Sequence, residues 1–272
     1  MKTKVISFAS GKGGVGKTTL VANLGSLWAK SGSNTLLVDG DWSLGKLSLT
    51  LGVRPQWTVE KVLSGEIGLA EAVHSVSKNL SLLASPSGII GLEELSEAAR
   101  NQIFFEMEDV GRQYDTILFD HSSGLNWGVL QFAAASHQHV IVTTSEPTSY
   151  TDAYAIMKIL SKRFAIRNFS LLVTMSQNLA ETEAIISRFA DVARSHLDVR
   201  VTLLEIFPWE PKLAESIRKQ RLFIDLYPNE KLTRCFDDVR VRLENEIPSA
   251  HQGLRFFCEE QELPQPTHRI SW

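Results

Sequence analysis

The chain has 272 residues, of which 43% are hydrophobic and 22% charged, and a formal net charge of −3; these are ordinary values for a folded protein and exclude a disordered or fibrous chain. That length suits one large α/β core, since single cores stop growing at about 250–300 residues. The slight acidity gives no general attraction to nucleic acid or an anionic membrane, so any such contact would need a local patch. Cys235 and Cys258 form no CxxC pair, so neither a disulfide framework nor a cluster site within one chain is expected, and a reducing cytoplasm fits. No run approaches the roughly 20 apolar residues of a membrane span. The opening MKTKVISFAS runs into a glycine loop instead of a cleavage site. A cytoplasmic protein, at most peripheral on the membrane, is expected.

Seven short runs rich in Val, Ile and Leu follow one another: VISFA (5–9), TLLVD (35–39), LSLLA (80–84), TILFD (116–120), HVIVTT (139–144), FSLLVT (169–174) and VTLLEIF (201–207). Such continuous runs predict strands buried on both faces. Helical patterns separate most of them: over 180–197, Ile185, Ile186, Phe189, Val192, Ala193 and Leu197 recur at helical spacing. The alternation predicts an α/β fold, a mostly parallel twisted sheet of about seven strands with helices on both faces. Ligands of such sheets bind beyond the carboxyl ends of the strands. Residues 11–19, Asp39, Asp41, Asp120 and Glu146 all follow predicted strand ends and are expected to converge on one crevice. From about Pro248 the periodicity is lost and Pro264 and Pro266 appear, which predicts one domain over 1–247 and a tail over 248–272 that leaves it.

Residues 11–19 read GKGGVGKTT and satisfy G-x-x-x-x-G-K-[ST] between a predicted strand and an amphipathic helix beginning near Lys17. The glycines Gly11, Gly13, Gly14 and Gly16 permit dihedral angles closed to other residues and bring backbone N–H groups close to phosphate oxygens, and the helix N-terminus adds partial positive charge. The loop Gly11, Lys12, Gly13, Gly14, Val15, Gly16, Lys17, Thr18 and Thr19 is therefore expected to hold ATP, with Lys17 on the β- and γ-phosphates and the Thr18 hydroxyl on Mg²⁺. Asp39 and Asp120 close apolar strands, where a carboxylate is costly unless it is paired or near a cation, and Mg²⁺ is the economical explanation. His121, Ser122 and Ser123 are read as filler of the loop that follows.

The string KGGVGKTT resembles the deviant Walker A loop of the MinD/ParA/nitrogenase-iron-protein class. Within it, VTTSEPTSYTDAYAIMKIL (142–160), the Phe207, Pro208, Trp209, Glu210 stretch and the later AESIRKQRLFIDLYPNEK are similar to the FlhG/FleN/YlxH ATPases, which control flagellar number and placement. The resemblance runs from residue 3 to about 245. It implies that Lys12 reaches across a dimer interface to the partner's nucleotide, that Asp41 orients or deprotonates the attacking water, and that Asp39 supports the metal shell. Asp120 would be the Walker B aspartate holding Mg²⁺ through water, with Gly124 as the pivot of a switch loop. Thr174, Pro208, Trp209 and Glu210 would surround the base, with Thr174 where the family usually has an Asn that reads the adenine edge and Glu210 where it commonly has Asp.

By the same resemblance the protein would hydrolyse ATP slowly, form an ATP-dependent homodimer, and act through a FlhF-like GTPase, a flagellar switch protein or a flagellar transcription factor. The extension through which many FlhG proteins stimulate FlhF is not expected ahead of a first strand this early. A MinD/ParA-like positioning ATPase for another cargo, at the division site or on DNA, stays open as an alternative, as does a P-loop small-molecule kinase or ligase. Binding of nucleic acid is not expected, because RKQR (218–221) and RVR (240–242) have acidic neighbours. The family's membrane-docking amphipathic helix would fall within 250–263, where Leu254, Phe257 and Cys258 could share a face. Glu259, Glu260 and Glu262 outnumber Arg255 there and oppose anionic headgroups, so membrane contact and coverage of the protein's own apolar surface are both left open.

Overall fold

In the computed structural model, residues 3–42, 45–85, 97–124, 127–246 and 256 are described. Strands β1 (Lys4–Ala9), β2 (Thr35–Gly40), β3 (Val73–Ser77), β4 (Leu80–Leu83), β5 (Thr116–His121), β6 (Gln138–Thr144), β7 (Asn168–Ser176) and β8 (Arg200–Pro208) form one sheet in the order β3-β4-β2-β5-β1-β6-β7-β8. All pairings are parallel except β3 with β4. Each of the seven apolar runs is a strand. The strand that sequence reading missed is β3, VHSVS, an edge strand of intermediate and exposed residues paired antiparallel through a two-residue turn. Its turn residue Asn79 adopts φ 63°, a conformation that Asn tolerates better than most. An edge strand buries too little apolar surface to announce itself as a continuous run.

The helices are α1 (Lys17–Lys30), α2 (Leu47–Leu51), α3 (Val59–Leu63), α4 (Leu69–Ala72), α5 (Glu97–Gly111), α6 (Trp127–Ala135), α7 (Pro147–Phe164), α8 (Leu179–Leu197), α9 (Pro211–Arg218), α10 (Phe223–Leu226) and α11 (Lys231–Asn245). Side chains alternate across the central strands. Ile6, Phe8 and Leu37 pack with Trp28 of α1 and Phe236 of α11, while Val5, Leu36 and Val38 turn to the opposite face, toward α3 and α5. On that second face a further cluster joins α6, α7 and α8 over β6 and β7. Of the face expected on α8, Ile186, Ala193 and Leu197 are buried, whereas Val192 stays 47% exposed. Asn178 caps this helix, its side chain accepting from the Glu181 N–H at 3.3 Å.

The register brings the central carboxylates together: Asp39 of β2 is the cross-strand partner of Asp120 of β5. Both lie inside their strands, and both are almost wholly buried.

The expected departure of the chain from about Pro248 does not hold at Phe256. Its ring stacks on Phe104 with centroids 4.4 Å apart and lies 5.6 Å from Phe119, its N–H donates to the Ala135 carbonyl at 3.0 Å, and it is 1% exposed. The rest of 250–263, including Leu254, Phe257, Cys258 and the glutamates, lies outside the described residues. Removing a ring so enclosed forfeits both transfer energy and packing. Phe256→Ala should therefore lower unfolding free energy by about 3–5 kcal/mol, read from urea midpoints; a change within error would show that this ring is not part of the working core.

Candidate functional site

Between the end of β1 and the start of α1, residues 12–16 wrap a cavity of about 290 Å³. Gly14 and Gly16 adopt φ 80° and 84°, where a side chain would be strained, and Gly16 is the N-cap of α1. Gly11 is needed for another reason. A Cβ there would sit 2.4 Å from Asp152 Cβ and 2.8 Å from the Asp152 backbone, so α7 packs directly on the loop. Gly13 meets neither condition, its nearest neighbour being Ser123 Oγ at 3.5 Å. The expectation that all four glycines serve forbidden dihedrals is thus corrected to two.

Lys17 opens α1 and is 8% exposed. Its Nζ donates to Asp120 Oδ1 at 2.5 Å and also to the His121 carbonyl, so the ammonium points back at the end of β5. Thr18 and Thr19 line the cavity beside it, with Asp41 and Lys46 across from them; Asp41 lies 3.7 Å from Lys46 Nζ. Asp39 does not face open space. Its carboxylate accepts backbone N–H groups of Asp41 at 3.1 Å and of Lys46 and Leu47 at 2.9 Å each, which fixes the turn carrying Asp41. Burial, and secondarily the charge of Asp120, push the Asp39 pKa up to about 7.

Lys12 lies on the outer rim, 44% exposed, with Nζ 2.6 Å from Glu146 Oε2. Thr174, Pro208, Trp209 and Glu210 meet at a second hollow next to the loop, which also takes in Gly16 and Met175. The Thr174 hydroxyl lies 2.8 Å from the Val15 carbonyl and 3.2 Å from that of Thr143, its possible acceptors, and Glu210 caps α9 by accepting from the Lys212 N–H at 3.0 Å. Gly124 adopts φ 106°, and its N–H donates to the Ser10 carbonyl at 3.1 Å.

His121 is a residue whose importance the sequence reading missed. It is the last residue of β5, fully enclosed, stacked on Phe119 with centroids 5.6 Å apart. Burial, then the Lys17 charge, push its pKa down to about 3. The signal was available in the apolar run preceding it, extended by one residue.

Of the two buried carboxylates only Asp120 contacts the buried Lys17 ammonium. Among the described residues no group of three or more His, Cys, Asp or Glu side chains could hold a metal by itself. Mg²⁺ does not require one, because it is usually carried by one or two carboxylates, waters and substrate phosphates. Thr18 lines the loop cavity, and Asp120 reaches it through its bond to Lys17.

Residues 3–184 match the family model described as an AAA domain. Over 258 residues, 94% of this chain and 92% of the relative, the sequence is 27% identical to the antiactivator FleN of Pseudomonas aeruginosa. It is 29% identical over 261 residues, 94% and 88% of the two chains, to the flagellum site-determining protein YlxH of Helicobacter pylori. The septum site-determining protein MinD of Pyrococcus horikoshii, solved with Mg-ADP, superposes with a TM-score of 0.70 at 26% identity, covering 89% of this chain and 96% of that one. The chain belongs to the MinD/ParA class of P-loop ATPases. Within the class it goes with the FleN/YlxH flagellar regulators.

In this MinD/ParA chain the residue after the strand aspartate carries a pH signature. The fold keeps His121 neutral, whereas an unfolded histidine takes up a proton below about 6.5, so acid favours unfolding through this residue. Asp39 acts in the opposite sense: the fold holds its proton between its ordinary pKa of 3.8 and about 7, so its contribution to stability is lost as pH rises through that window. Removing the imidazole should leave the Asp39 trend uncovered. For His121→Phe without nucleotide, stability relative to the parent should rise by roughly 1.4 kcal/mol per pH unit below 6.5, measured by urea unfolding at pH 7.5 and 5.0. A pH-independent difference would put the folded imidazole near its ordinary pKa.

Proposed function

We propose that the chain is an ATP-dependent dimerising switch with slow hydrolysis that sets flagellar number or placement. The observation that carries this reading is the pairing of a complete phosphate loop, with Lys17 and Asp120 at its base, and a second loop lysine, Lys12, exposed at its rim. Kinship with FleN and YlxH supports the flagellar role. A cytoplasmic location agrees with the finding that no described helix is long and apolar enough to cross a membrane.

On binding ATP, Lys17 exchanges Asp120 for the β- and γ-phosphates, and the loop N–H groups with the α1 N-terminus orient the remaining phosphate oxygens. Thr18 and Asp120 would hold Mg²⁺, which would neutralise phosphate charge when bound. Asp41 orients the attacking water. Asp39 acts through the turn it fixes, as a positioning residue for Asp41. Lys12 leaves Glu146 for the nucleotide of a second copy, where a cation placed on developing charge assists transfer only in the dimer. The exchange is inexpensive, since an exposed ion pair contributes about 0–1 kcal/mol. Partners would be a FlhF-like GTPase, a flagellar switch protein or a flagellar transcription factor, recognising the ATP-bound dimer.

Light scattering after size exclusion, in ADP and in ATP with Mg²⁺, tests the reading. The parent chain should dimerise only with ATP. Lys12→Ala should bind ATP as a monomer and lose dimerisation and turnover, while Asp41→Ala should accumulate as an ATP-loaded dimer with turnover reduced about 10²-fold or more. Normal dimerisation and hydrolysis by Lys12→Ala would remove the cross-subunit role; normal hydrolysis by Asp41→Ala would remove the catalytic one.

A further inference from the structure

The hollow beside the phosphate loop measures about 140 Å³ and shares Gly16, Met175 and Leu213 with the loop cavity. A nucleotide whose phosphates lie on the loop would therefore lay its base here. The walls are apolar, from Met175, Leu213 and Ile217 to the deep ring of Phe236. Met175 is held over the loop by a left-handed backbone, φ 59°, at an irregularity in the β7–β8 pairing. Such strain in a non-glycine residue persists only where its surroundings impose it.

What the side chains of Thr174 and Glu210 offer a base is one-sided. A hydroxyl has a single hydrogen, and that of Thr174 is directed to the Val15 or Thr143 carbonyl, leaving a lone pair toward the hollow. Glu210 is an acceptor only; one oxygen takes the Lys212 N–H, and the carboxylate stands at the rim. The Trp209 backbone N–H is spent on the Ser176 carbonyl at 2.9 Å, and its indole, 57% exposed, stands at the mouth of the hollow. Adenine presents a donor, its N6 amino group, beside an acceptor, N1, and an amide side chain can answer both at once. Guanine and hypoxanthine present a donor at N1 beside an acceptor at O6, and guanine a second donor at N2. Acceptor side chains serve the N1 and N2 donors as well as they serve adenine N6, and leave O6 unanswered as they leave adenine N1.

We propose that this site accepts purine nucleoside triphosphates as a class, GTP and ITP as well as ATP, with selection by ring size and apolar contact. The inference rests on the nucleotide-binding reading above. Sites that read a base through committed polar partners discriminate by about 10⁴–10⁵, whereas apolar pockets discriminate by about 10–200-fold.

The experiment is displacement of a fluorescent N-methylanthraniloyl ATP from the full chain with Mg²⁺ by ATP, GTP and ITP. Affinities for GTP and ITP within about thirtyfold of that for ATP are expected, and a preference for ATP above that bound over either competitor overturns the proposal. The second arm is Thr174→Asn, which adds an amide donor and acceptor at the deep end. It should widen the ATP-over-GTP ratio at least about tenfold; a variant that binds ATP with an unchanged ratio also counts against the proposal. Should that variant fail to fold, the parent's own ratios decide. Tight ATP binding without GTP or ITP defeats this inference alone. Absence of binding by all three defeats the nucleotide reading and this inference together.

Discussion

An ammonium group cannot be buried without a counter-charge close by, and Lys17 is buried at the amino end of α1, where the helix already contributes positive potential. Asp120 meets that need at 2.5 Å, which binds the first helix to the central strand β5 and closes the floor of the loop. Asp39, its cross-strand neighbour, is buried beside that carboxylate, and burial first, with the charge of Asp120 second, raises its pKa. Lys17 balances Asp120, and the second carboxylate goes unbalanced only once Asp39 ionises. On the proposed reading, phosphate would take Lys17 from Asp120 and a divalent cation would stand in for it there.

The same loop is braced from the side by the junction of β6 and α7. Ser149 links Thr143 and Thr144 through its hydroxyl at 2.8 and 3.1 Å, and Thr174, bonded to the Val15 or Thr143 carbonyl, sits where loop, β6 and β7 meet. Asp152 of α7 fills the space that a side chain on Gly11 would need. The loop therefore has glycines for two unlike reasons, backbone dihedrals at positions 14 and 16 and bare proximity at position 11.

Much of this was legible in the amino-acid order because buried parallel strands must be apolar throughout, and a phosphate loop must place its glycines, lysine and hydroxyls at fixed offsets. The seven central runs and the convergence of residues 11–19, Asp39, Asp41 and Asp120 follow from those requirements alone. What escaped depends on neighbours remote in sequence. The edge strand β3 owes its existence to β4, not to its own apolarity. His121 is significant through Lys17 and Phe119, and Phe256 through α5, β5 and α6 of the second face, none of which a local pattern displays. Asp39 looked like a group facing metal, but its oxygens are engaged by a turn whose path no spacing rule specifies.

The sheet order has a consequence for how the chain matures. β1 is made first, yet its two neighbours in the sheet are β5 and β6, and the partner of Lys17 lies 103 residues downstream. Contacts of such long separation slow folding, because loop-closure entropy is lost before they form. A chain emerging from the ribosome would carry its phosphate loop for well over a hundred residues with β1 unpaired, its apolar flanks open to misassociation until β6 arrives. The segment that most directly meets the ligand, though made first, thus waits for β6 to become competent, so a truncated translation product ending before β6 would have the sequence of the loop without its chemistry.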